Sequence, residues 1–258
     1  MRLMKRILSA AAVLALSASL LVGCNSGTAS SVPVSASSAA ESTVSSVEET
    51  ASSAVDENEA AAAQLLNDLT GSYQELWPVI LADEYKQTWL DDCTALVGED
   101  NAEAAFEKLS SMVTGDVYGE DAVKAYANGG GAYFCGFTNS LATLTFDGET
   151  STISGTDKDG NVLFSHTYHY IGMEPVRGLY EFESDDADSG EFTYFFLAPD
   201  TSAETYHIEF RYGSDAEALS QYDAGEYAYW LASGISTDCD QTMIDNCIEL
   251  FCTENLAG

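Results

Sequence analysis

Basic residues are scarce. The 258-residue chain carries 9 Lys plus Arg against 42 Asp plus Glu, a formal net charge of −33. Three of those basic residues, Arg2, Lys5 and Arg6, sit at the extreme N-terminus, so the remainder is still more acidic. That balance excludes nucleic acid as a partner, because phosphate binding needs a basic face. It also excludes docking on anionic headgroups by a basic patch. Histidine is limited to His166, His169 and His207. No Cys-x-x-Cys pair is present, which removes the usual redox motif and zinc ribbon. Ser233 and Ser236 flank Gly234 without the first glycine of a nucleophile elbow. No carboxylate pair is singled out by its spacing. Enzymatic chemistry is therefore not expected. What is present suffices for a core: 46% of residues are hydrophobic and 11% aromatic, which excludes wholesale disorder. The acidic balance suits an extracytoplasmic protein, or one whose partners are cations.

Residues 1–23 read as an export signal. A basic Met1–Arg6 precedes an apolar Ile7–Leu20, too short and wrongly flanked for a permanent span. Leu21-Val22-Gly23-Cys24 resembles the lipobox of bacterial lipoproteins, which implies lipid attachment at Cys24 and cleavage just before it. The expected location is extracytoplasmic, lipid-anchored to a bacterial membrane. Residues 24–58 are Ser-, Ala-, Thr- and Glu-rich without an aromatic residue, the composition of a disordered tether. The folded domain is expected over 59–258.

Within that domain, apolar spacing predicts helices over Glu59–Leu69, Ser72–Ile80 with Pro78 disturbing its end, Asp83–Leu96, Ala102–Val113 and Glu120–Ala127. Asn128-Gly129-Gly130-Gly131 stops the last of these. Strands rich in aromatic and β-branched residues follow: Tyr133–Thr138, Leu141–Phe146, Thr150–Ser154, Val162–Tyr170, Arg177–Glu183, Phe192–Leu197 and Thr205–Tyr212. Ser214 and Glu217 suggest a capping box, and Met243, Ile244, Cys247, Leu250 and Phe251 form a stripe on a C-terminal helix. The class is α+β: a small antiparallel barrel flanked by helices at both ends.

His207 and Glu209 stand two apart on a strand, so they share one face with Arg211, while Tyr206, Ile208 and Phe210 point the other way. An imidazole and a carboxylate so placed can both reach one Zn²⁺. His166 and His169 fall on opposite faces of their strand, so at most one can join His207; His169 is the possible third ligand. Asp157–Asn161 reads as a hairpin turn rather than a calcium loop, because Val162 stands where the loop needs Gly. Five cysteines follow Cys24, an odd number, and spacing does not decide how Cys93, Cys135, Cys239, Cys247 and Cys252 pair.

From about Leu69 the motif order resembles the ZinT family of bacterial zinc-binding proteins. The resemblance rests on Gly71–Pro78, Glu120–Gly130, Val176–Glu181, Phe192 to Ala198-Pro199, and His207-Ile208-Glu209 followed by Gly213-Ser214-Asp215. It covers roughly 190 residues, and its pieces are specific through order and spacing rather than singly. The resemblance implies a calycin-like barrel and a surface-anchored protein that binds zinc or another divalent metal and serves metal capture, with a metal-import system as partner. The family's site uses three histidines. Here the first matches Phe195, the second is kept as His207, and the third matches Glu209. The competing expectation is a barrel that has lost its metal and binds a small ligand or a protein, with Phe195 making the former site apolar.

Overall fold

The computed structural model describes residues 57–199 and 207–257. Residues 1–56, with the expected export signal, Cys24 and nearly all of the expected tether, lie outside the described residues. Helix α1 occupies 57–68. It is followed by β1 Gly71–Glu75, α2 Leu76–Ile80, α3 Lys86–Val97, α4 Glu99–Val113 and α5 Glu120–Ala127. The strands β2 Thr143–Asp147, β3 Thr152–Thr156, β4 Val162–Met173, β5 Tyr180–Ser184, β6 Tyr194–Leu197 and β7 His207–Gly213 come next. The short α6 Ala216–Leu219, then β8 Ala232–Ser236 and α7 Gln241–Leu256, complete the domain.

The eight strands form a closed barrel in chain order, every pairing antiparallel, with β8 returning to β1. This is the expected α+β barrel with helices before and after it. Closure removes the unpaired edges that an open sheet would leave. The interior is filled with aromatic rings. Phe164, Tyr168, Phe182, Phe195, Phe210 and Tyr212 are buried together with Leu144, Phe146, Ile153 and Ile208. The rings meet edge to face and offset, as Tyr168 and Phe195 do at 5.4 Å and 87°. Helix α1 adds Ala62, Leu65, Leu66 and Leu69 to the same core. Its close approach requires Gly148, where a Cβ would lie 2.4 Å from the Asn67 Cα.

A second core lies outside the barrel wall. Leu76, Trp77 and Ile80 of α2, Trp89 and Cys93 of α3, Leu109 of α4 and Ile244, Cys247, Ile248 and Cys252 of α7 cover the outward Ile235 of β8. Gly98, at φ +85°, allows the sharp turn between α3 and α4.

Three local expectations need correction. Gly71–Glu75 and Ala232–Ser236 are strands that the sequence pattern does not disclose. Gly71–Glu75 runs into the helix signal of Leu76-Trp77, and Ala232–Ile235 is buried on both faces, so no alternation exists. Tyr133–Thr138 is not a ladder strand; only Phe134 makes isolated bridges, to Thr114 and Trp230. Side chains satisfy much of its backbone instead: Phe137 N–H donates to Glu75 Oε1 at 2.6 Å, and Trp230 Nε1 donates to the Gly136 carbonyl at 2.9 Å. The cap of α6 is Asp215, which accepts from Ala218 N–H at 3.0 Å, rather than Ser214. The Asp157 turn is as expected: its carboxylate accepts from the Asn161 side-chain Nδ2 and from the backbone amides of Asn161 and Asp159, and these bonds hold it below the usual carboxylate range.

Candidate metal centre

Strand β7 separates its side chains as the period of 2 requires. Ile208, Phe210 and Tyr212 enter the barrel core, while His207 and Glu209 face outward. Pairing with β8 sets their neighbours: His207 lies opposite Ile235 and Glu209 opposite Ser233. The outward side here is not open solvent. Both residues line a small groove of about 70 Å³ beneath α2 and α7, with Trp77 and Ile80 on one wall and Cys247, Phe251 and Glu254 on the other. Glu209 also borders a second hollow of about 270 Å³ with Arg177, Pro199 and Leu231.

Two sulfurs feel the Glu209 charge. Burial pushes the Cys135 thiol up to about 12, with Glu209 as the next contribution. Burial also pushes Cys247 up to about 12, with Cys239, Glu209 and Glu254 adding to it. Both are therefore neutral thiols at physiological pH. A cation held against Glu209 would act in the opposite direction and favour the thiolates. Imidazole nitrogen, carboxylate oxygen and thiol sulfur are the donor types zinc takes.

The geometry stops short of a complete shell. Among the described residues, no three His, Cys, Asp or Glu side chains meet as a metal-holding group. His169, the possible third ligand, is not brought to His207. It stands on β4, with β5 and β6 between it and β7, and its Nδ1 lies 2.7 Å from Asp185 Oδ1. His166 is held in the same way by Asp186, Nδ1 to Oδ2 at 2.7 Å. Phe195 is fully buried inside the barrel, opposite Tyr212 on β7. The position that the resemblance aligns with the first family histidine therefore faces away from His207 and Glu209.

The far wall of the groove was not identified from sequence. Its signal was present on α7, where Cys247, Phe251 and Glu254 follow helical spacing and place an acid on an otherwise apolar stripe.

Against known proteins, no protein-family model matches this chain, and no curated protein does. Among solved structures it is similar to the Zn(II)-bound ZinT-like domain of Streptococcus pneumoniae AdcA, with 16% identity, a TM-score of 0.45, and coverage of 71% of this chain and 89% of that one. It is also similar to Zn(II)-bound AdcA from Streptococcus pneumoniae, with 14% identity, a TM-score of 0.43, and coverage of 72% of this chain and 35% of that one.

Proposed function

We propose that the chain is an extracytoplasmic, lipid-anchored binder of a divalent metal of the zinc class, accessory to metal capture or import. One observation carries this reading: His207 and Glu209 project side by side from β7 into a groove whose opposite wall presents Cys247 and Glu254. The imidazole nitrogen of His207 favours zinc over calcium or magnesium, which take oxygen. Zinc is cargo here. His207 and Glu209 are the two ligands, and a further position filled by water is compatible with transfer. The net charge of −33 raises the local concentration of cations without selecting among them. Cys24 carries the anchor, where two or more acyl chains give stable attachment. No catalytic step is proposed.

A metal-free reading is favoured by a different observation. The groove walls are largely apolar, with Trp77, Ile80 and Phe251 beside the two ligands, and Phe195 is packed among aromatic rings. On that reading the barrel is a small-ligand or protein-interaction module.

The test is elemental analysis of untagged protein, dialysed against excess calcium and then against buffer. The metal-binding reading predicts retained zinc near one equivalent; none retained favours the module. Anchoring is tested separately. Cys24→Ser should abolish lipid labelling and release the protein from membranes, and lipidated, membrane-bound variant protein would contradict the anchor.

A further inference from the structure

Cys93 lies on α3, between β1 and β2 in the chain, and Cys252 on α7, after β8. Their sulfurs are 3.9 Å apart, and both residues are fully buried in the helical core. Each has the other as its sulfur neighbour, 159 residues away in sequence. A disulfide needs the sulfurs at about 2.0 Å, so they must close by roughly 1.9 Å between two helices that already pack against each other. Of the remaining cysteines, Cys135 and Cys247 lie beside Glu209, and Cys239 is only half-buried.

We propose that Cys93 and Cys252 are joined by a disulfide in the oxidised protein. The two thiols lose two protons and two electrons as the S–S bond forms. The acceptor is a disulfide-bearing oxidant, a small-molecule disulfide or a dithiol oxidoreductase, whose own S–S bond is cleaved to two thiols. Burial raises both thiols above their ordinary range, so the folded pair is a poor nucleophile. Exchange therefore takes place during folding, before α3 and α7 close over the sulfurs. The odd cysteine count is then accounted for by one bridge and three thiols. Two of those thiols, Cys135 and Cys247, border the acidic site and stay available to it.

The position of the bridge matters more than its chemistry. Cys93 precedes β2 and Cys252 follows β8, so the closed loop contains seven of the eight strands. In the chain-entropy description a cross-link restricts the unfolded state more as its loop lengthens. This bridge would tie β2 to β8 into one ring and hold α3 and α7 together. It is independent of metal binding. In the cell it requires an oxidising compartment, consistent with the export reading.

The test uses the full chain refolded in a glutathione redox buffer. The protein is denatured without reductant, alkylated with iodoacetamide, digested and mapped by mass. The expected result is one cross-linked peptide joining Cys93 to Cys252, two hydrogens lighter than its parts, with Cys135 and Cys247 alkylated. The oxidised protein should also melt several degrees above its reduced form, and a Cys93→Ala/Cys252→Ala variant should lose that reductant-dependent difference. Quantitative alkylation of both Cys93 and Cys252, or a bridge from either to another cysteine, overturns the proposal. The peptide map decides the matter even if the double variant does not fold.

Discussion

Phe195 and His207 lie on opposite sides of the barrel wall. Phe195 pairs across the β6–β7 ladder with Tyr212 and is sealed inside. His207 pairs with Ile235 and turns out toward α2 and α7. Whatever binds at His207 and Glu209 is therefore held between the barrel's outer face and the helical layer, and the aromatic interior does not participate.

This arrangement makes an unusual prediction for Phe195→His. The substitution puts a histidine where the resemblance aligns one, yet it should not improve metal binding, because the new imidazole enters a core made by Phe164, Tyr168, Phe210 and Tyr212. It should destabilise the fold by about 2–4 kcal/mol through lost packing and an unpaired buried polar group. Chemical denaturation gives the stability and calorimetry the affinity. Tighter zinc binding in the variant would mean that position 195 reaches the metal.

Arg211 follows Glu209 on the same outward side of β7 but serves structure. It is fully buried, its guanidinium lies 4.3 Å from the Tyr222 ring centroid, and it donates to the carbonyls of Leu219, Gln221 and Tyr227. This fork fixes the segment between α6 and β8. Arg211→Ala should cost about 3–5 kcal/mol, since buried carbonyls lose their donor. Arg211→Lys should recover little, because a single ammonium cannot reproduce the fork. Full recovery by Lys in urea melts would show that charge alone is needed.

Much of the architecture is legible in the sequence where one face of an element is wet. Helix α5 begins and ends where its acidic first turn and Gly stop place it, and β7 shows its alternation through His207, Ile208, Glu209 and Phe210. The hidden elements are those without such contrast. Strand β8 reads Ala-Ser-Gly-Ile-Ser, with the barrel core on one side and helices on the other, so burial erases the period. The extended Tyr133–Thr138 takes its hydrogen bonds partly from Glu75, Tyr212 and Trp230, contacts that no local pattern contains. The site is half legible for the same reason. The spacing of His207 and Glu209 is local, whereas the groove they share with Cys247 and Glu254 depends on how α7 docks. His169 shares the strand chemistry, but spacing along one strand does not reveal its distance around a closed barrel.

Alkaline pH should unfold the protein earlier than its core size suggests. Burial raises the phenols of Tyr73 and Tyr222 to about 12, above the ordinary value of 10.0. Between those values the native state keeps protons that the unfolded state releases, so the unfolded state gains as pH rises. The stability these tyrosines contribute is complete below pH 10 and is lost as pH passes through about 12. Thermal melts from pH 8 to 12 should show Tm falling above pH 10, and Tyr73→Phe should reduce that slope. A flat Tm across the range would show that these phenols ionise equally in both states.

The central claim, that His207 and Glu209 bind zinc, is tested most directly by calorimetric titration of zinc into the wild type, His207→Ala and Glu209→Gln. Excess calcium in the buffer occupies the surface carboxylates, and circular dichroism checks that each variant is folded. Saturable binding near one equivalent in the wild type, weakened at least tenfold in both variants, is the expected result. Equal affinity in all three proteins, or no measurable binding in the wild type, would contradict it.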